Sequence, residues 1–157
     1  MEKMDLEFDR KDFCNSLTRI EASLNMAGDH LWEIIDAWPQ FSESVLKGYA
    51  QINVEREAKL VTGRVLGKPF TIKVAPVVSD GFCHLEATIV TGSPLKGSDR
   101  VVGVFRADHN GDIKGANGEV ILSNEADAQS CELLVAVIRK VLASRESLQT
   151  QDSALTE

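Results

Sequence analysis

The sequence predicts an α+β domain in which a curved, seven-stranded antiparallel sheet wraps on a long C-terminal helix, with two short helices after the first strand. Three observations predict it. Short runs of alternating apolar and polar residues follow one another through the chain, as in antiparallel strands with one face buried and one wet. Turn signals, Ser79-Asp80-Gly81 and Asn110-Gly111 among them, separate these runs. The last apolar stretch, Glu125 to Arg145, carries a helical stripe instead.

Residues 1–16 are charge-rich and are assigned to an N-terminal arm, residues 17–146 to the domain, and the polar residues 147–157 to a tail. The domain's first element is ambiguous between two periods. Phe13, Leu17, Ile20, Leu24 and Ala27 fit a helical stripe, whereas Ile20, Ala22, Leu24 and Met26 alternate without exception against Arg19, Glu21, Ser23 and Asn25. Ser23 and Asn25 are indifferent helix formers, so the first strand is predicted at Leu17–Met26. Gly28-Asp29 ends it, and Asp29 can cap a short helix carrying Leu31, Trp32, Ile34 and Ile35, which Pro39 stops.

A meander of strands follows. Ala50, Ile52 and Val54 alternate with Gln51, Asn53 and Glu55; a run from Ala58 to Leu66 leads into the turn Gly67-Lys68-Pro69. Phe70, Ile72 and Val74 alternate with Thr71 and Lys73, and Cys83, Leu85, Ala87 and Ile89 with His84, Glu86 and Thr88. Beyond the loop Gly92–Ser98 comes Arg100–Ala107, then the Asn110-Gly111 hairpin and a last strand ending near Leu122. The final helix, Glu125 to Arg145 with Asn124 as its cap, would span about 30 Å. Its apolar stripe is Cys131, Leu134, Val135, Ile138, Val141 and Leu142, widened by Leu133 and Val137.

The chain has 157 residues, 43% apolar and 26% charged, with a formal net charge of −7. That charge and the absence of any basic run argue against a nucleic-acid partner, which needs clustered Lys and Arg. No stretch approaches the ~18 apolar residues of a membrane span, and the charged N-terminus leads into no signal core, so a cytoplasmic protein is expected. Cys14, Cys83 and Cys131 are odd in number and far apart, which indicates neither a disulfide framework nor a zinc site.

Strand, short helices, meander and long helix, in that order, resemble the helix-grip fold of the START-like and polyketide cyclase superfamily. The text "LTRIEASLNMAGDHLWEIIDAWPQF" resembles that family's opening: Leu31-Trp32-Glu33-Ile34-Ile35-Asp36 match its helix start, and Trp38-Pro39-Gln40-Phe41 its aromatic-Pro-x-Phe. After Phe41 the chain departs from it, with Ser42-Glu43-Ser44 where many relatives carry Trp-x-Pro. The resemblance implies a cavity between sheet and C-terminal helix that binds or transports a small hydrophobic molecule, such as a lipid, polyketide or quinone. Phe70, Ile72, Val74, Leu85, Ala87, Ile89, Phe105 and Arg106 are the expected walls, and Leu134 and Ile138 the roof. Ala87, Gly103 and Ala107 are small where bulk would fill space.

Two alternatives stand beside that reading. A cyclase or aromatase in the same cavity would need a titratable group inside it, with His84, Glu86 or Arg106 as candidates. A protein-interaction module would expose apolar surface on the final helix around Leu133 and Val137. Homodimerisation is left open, and no catalytic residue is singled out. Gly63-Arg64-Val65-Leu66-Gly67-Lys68-Pro69 misses a phosphate-binding loop, because Thr62 stands where its first glycine belongs and Pro69 replaces the magnesium-binding hydroxyl. Asp108, Asn110 and Asp112 mimic a calcium loop, but Ile113 occupies its obligatory glycine position. His30, His84 and His109 lack metal-ligand spacing, so neither metal nor cofactor is expected.

Overall fold

The Asp9 carboxylate accepts the Asp12 backbone N–H at 2.9 Å and caps a helix, α1, that runs from Arg10 to Asp36 in the computed structural model, which describes residues 1–93 and 98–145. The predicted first strand, Leu17–Met26, is therefore helical. Phe13, Leu17, Ile20, Leu24, Ala27, Leu31 and Ile34 recur at alternating spacings of four and three. That period is sustained over most of the helix and outweighs a short alternation. Burial follows it: Ala22 and Met26 are exposed, while Ser23, assigned to the wet phase, is buried. Gly28 breaks nothing; a Cβ there would lie 3.9 Å from Leu85 Cδ1, so the helix rests close on the sheet. The helix expected after Asp29 is the C-terminal part of α1.

Pro39 does mark a stop. Helix α1 ends at Asp36, and α2 (Trp38–Ser44) starts afresh with Pro39 in its first turn, where no backbone N–H is required. All seven strands come afterwards: β1 (Ala50–Glu55), β2 (Leu60–Val65), β3 (Lys68–Ser79), β4 (Phe82–Ser93), β5 (Ser98–Ala107), β6 (Ile113–Lys114) and β7 (Val120–Leu122). They form one curved antiparallel sheet in sequence order. The last predicted strand is split in two by a turn in which Gly118 N–H donates to Gly115 O.

Register sorts the side chains. Ile72 pairs with Val61 and Ile89, and Leu85 with Ala107, so these alternate residues share one face. The other face carries Lys73 opposite Thr88, and Glu86 opposite Arg106. Helices α1 and α3 (Gln129–Ala143) cover the apolar face, where Leu31, Ile35, Ile72, Leu133, Leu134, Val137 and Val141 lie in one core.

Helix α3 has 15 residues, about 22 Å, and is shorter than expected. Its predicted cap is engaged elsewhere. Asn124 N–H donates to Asp112 Oδ1 at 2.8 Å, and the Asn124 side-chain amide donates to Asn110 O at 2.6 Å, pinning the hairpin before the helix can start. Both ends of α3 are fastened. The fully buried Trp38 donates its Nε1–H to Ser130 O at 3.1 Å, and the Ser130 hydroxyl donates to Ile34 O at 2.6 Å. At the other end Lys68 Nζ donates to Ser144 O. The tail, residues 147–157, lies outside the described residues.

Candidate functional site

Nine of the ten residues expected to line a cavity are 6% exposed or less: Phe70, Ile72, Val74, Leu85, Ala87, Ile89, Phe105, Leu134 and Ile138. They belong to the one hydrophobic core. Two glycines beside them are matched by large neighbours. A Cβ on Gly103 would lie 3.2 Å from Ile89 Cδ1, and one on Gly63 would collide with the Phe70 ring. Arg106, the tenth, points to the opposite face. Leu133 and Val137, the candidates for an exposed patch on the last helix, are 2% and 1% exposed.

Of the predicted residues, Ile138 lines a groove of about 450 Å³ at the β1–β2 edge of the sheet. Two tight loops build it. The chain leaves α2 through Val45 and Leu46 and turns at Lys47 and Gly48, with φ of 51° and 77°, to bring Tyr49 to the start of β1. Beside it, Val65 pairs with Lys68 across a two-residue hairpin loop, Leu66 and Gly67, with φ of 48° and 81°. Positive φ at both positions is the I′ turn that matches strand twist. Leu66 N–H donates to Tyr49 O at 3.2 Å and joins the two loops. Ile138 and Leu142 of α3 close the far wall, held there by the Lys68–Ser144 bond.

The lining is almost wholly carbon; Lys47 and Tyr49 bring its polar side-chain atoms. Tyr49 is 64% exposed and Leu66 68%, so the groove opens to water. The groove escapes sequence reasoning because the run Ala58–Leu66 reads as one strand ending at Leu66. The signal was present, since Leu66 follows Val65 and breaks the alternation, as does the pair Val45-Leu46.

The uncovered face carries the titratable groups. Glu86 and Arg106 form an ion pair at 2.9 Å, and Lys114 Nζ lies 3.3 Å from Asp108. Asp108 is 2% exposed and its Oδ1 accepts the N–H of Asn110 and of Asp112, each at 3.0 Å, so the residues that mimic a calcium loop organise a turn. His84 stands beside this cluster; burial chiefly, then the Lys114 charge, holds its pKa below the ordinary value. His109 stacks on Phe82 at 4.6 Å, and Arg19 lies over the other partner of that stack, 5.6 Å from the Phe82 ring centre. His30, expected to open a helix, lies within α1. Among the described residues no group of three or more His, Cys, Asp or Glu side chains is placed to hold a metal, and no helix is long and apolar enough to cross a membrane. The three cysteines are unbridged. Set against protein-family models, curated proteins and solved structures, the chain matches none of them.

Proposed function

We propose that the protein binds a small hydrophobic molecule, of the lipid, polyketide or quinone-like class, in the groove between α3 and the β1–β2 edge of the sheet. Its volume falls within the ~300–1,000 Å³ of small-molecule sites. One observation carries the reading: Leu66 is an exposed leucine held in the left-handed region. Such a conformation costs a β-carbon residue roughly 1–2 kcal/mol, and Asn or Asp would make the same turn without that cost. An apolar side chain retained there, facing Leu142 and Tyr49 across open space, suits contact with a guest.

Binding without chemistry is favoured over a cyclase-type reaction because His84, Glu86 and Arg106 lie on the other face of the sheet. An apolar dye such as N-phenyl-1-naphthylamine tests the site. The parent protein should enhance its fluorescence, and a medium-chain fatty acid or short quinone should displace it. Leu66→Asn should weaken dye binding at least tenfold while raising stability by about 1 kcal/mol. Leu142→Lys, at a 44% exposed position, should abolish binding with little change in Tm. Dye binding unaltered by both substitutions, or absent from the parent, would sink the proposal.

A further inference from the structure

We infer that the end of the sheet where β2 turns into β3 docks on a lipid bilayer bearing anionic headgroups, with Leu66 and Tyr49 entering the interface and the cations around them meeting lipid phosphates. Two loop tips build this surface. The bond from Leu66 N–H to Tyr49 O sets the Leu66-Gly67 hairpin beside the loop that enters β1. Outside the N-terminal arm, Leu66 and Tyr49 are the most exposed large apolar side chains among the described residues. Val45 and Leu142, 48% and 44% exposed, stand beside them on the rim of the groove.

Charge selects an anionic occupant. The chain carries −7, with 24 acidic residues among its 157, yet Ser44–Val54 and Ala58–Ser79 contain no Asp or Glu. Lys47 lines the groove, and Arg64 and Lys68 flank the hairpin tip, where Arg64 donates to Gly67 O at 3.0 Å and Lys68 to Ser144 O. Arg100 is held at the same end by Arg145 O at 2.7 Å. Among the described residues the topology brings two acids here, Glu43 in the last turn of α2 and Asp99 at the start of β5. Asp99 is paired with Lys73 at 3.6 Å, which leaves Glu43 against four cations.

Area and shape select a bilayer over a protein. At ~200 Å² for a large side chain, the four exposed apolar residues present on the order of 400 Å², about half of the ~800 Å² each partner brings to a stable protein interface. A bilayer asks for no matched surface: a leucine at a hairpin apex reaches the boundary between headgroups and acyl chains, a tyrosine sits at headgroup level, and each nearby Lys or Arg adds attraction to anionic lipid. Docking in this pose turns the mouth of the groove toward the lipid, but it does not require the groove to hold a guest.

Flotation of the full chain with large unilamellar vesicles tests this, using phosphatidylcholine alone or with about a third phosphatidylglycerol. The parent should float with the anionic vesicles and not with the neutral ones, and added salt should release it. Arg64→Glu should weaken partitioning by about tenfold or more, since it removes one favourable charge and adds an unfavourable one. Lys59→Glu makes the same change of charge at the opposite end of β2 and should leave flotation unaltered. Leu66→Asn should also weaken it. A parent that binds neither vesicle, equal binding to both, or equal losses from Arg64→Glu and Lys59→Glu would each overturn the inference. Arg64 lies outside the groove lining, so Arg64→Glu should bind N-phenyl-1-naphthylamine as the parent does. Vesicle binding without dye binding would therefore overturn the groove reading alone, and dye binding without vesicle binding this inference alone.

Discussion

Ser23 ties α1 to the backbone of β4. Its hydroxyl donates to Ile20 O at 2.8 Å and accepts the Cys83 N–H at 2.7 Å, in surroundings that leave Ser23 4% exposed. Ser23→Ala would leave that buried N–H without an acceptor, and urea unfolding should register a loss of about 1–3 kcal/mol. Next along the strand, Cys83 and His84 are perturbed in ways that follow from their faces. Burial pushes the Cys83 thiol above its ordinary pKa, so it should resist alkylation in the folded protein while the exposed Cys14 reacts. For His84 the depressed pKa fixes the sign of a pH effect. The unfolded chain protonates first as pH falls, near ~6.5, so this contribution is complete above that pH and is lost as pH falls through the lower folded value. Denaturation midpoints measured across that window should fall less steeply in His84→Gln than in the parent.

Elements were legible in the sequence wherever one period had no rival. The strands from Ala50 to Ala107 follow their alternation closely, because each buries one face only and a slip of one residue would reverse it. At Leu17–Met26 two periods overlap in the same residues, and what separates them is burial against β4, sixty positions away at the Ser23–Cys83 bond. The start of α3 was hidden for a similar reason, since Asn124 is claimed by Asn110 and Asp112 rather than by the helix that follows. The groove was less legible than the core. Its walls come from two tight loops and a helix end, and such loops carry no period to extend. A pair of substitutions on α3 separates core from groove. Leu134→Ala, at a fully buried position, should cost about 2–5 kcal/mol; Ile138→Ala, whose side chain borders open space, should fall at the low end of that range. Equal losses would mean that the groove is closed at Ile138.

Across the whole molecule, the strands pair strictly in sequence order, and each hairpin needs only its immediate neighbours in the chain. Helix α1 is the exception, because its docking site on β4 is completed long after the helix itself has been made. Translation at ~5–20 residues per second takes about 3–12 s to cover the 60 positions between Ser23 and Cys83. For those seconds the nascent chain carries a finished helix whose stripe, Phe13 through Ile34, has no sheet to rest on. Ribosome-bound chains halted before β4 should therefore be captured by hydrophobic-binding chaperones, and chains halted after β5 should be released except where the stripe remains bare, at Phe13 and Leu17.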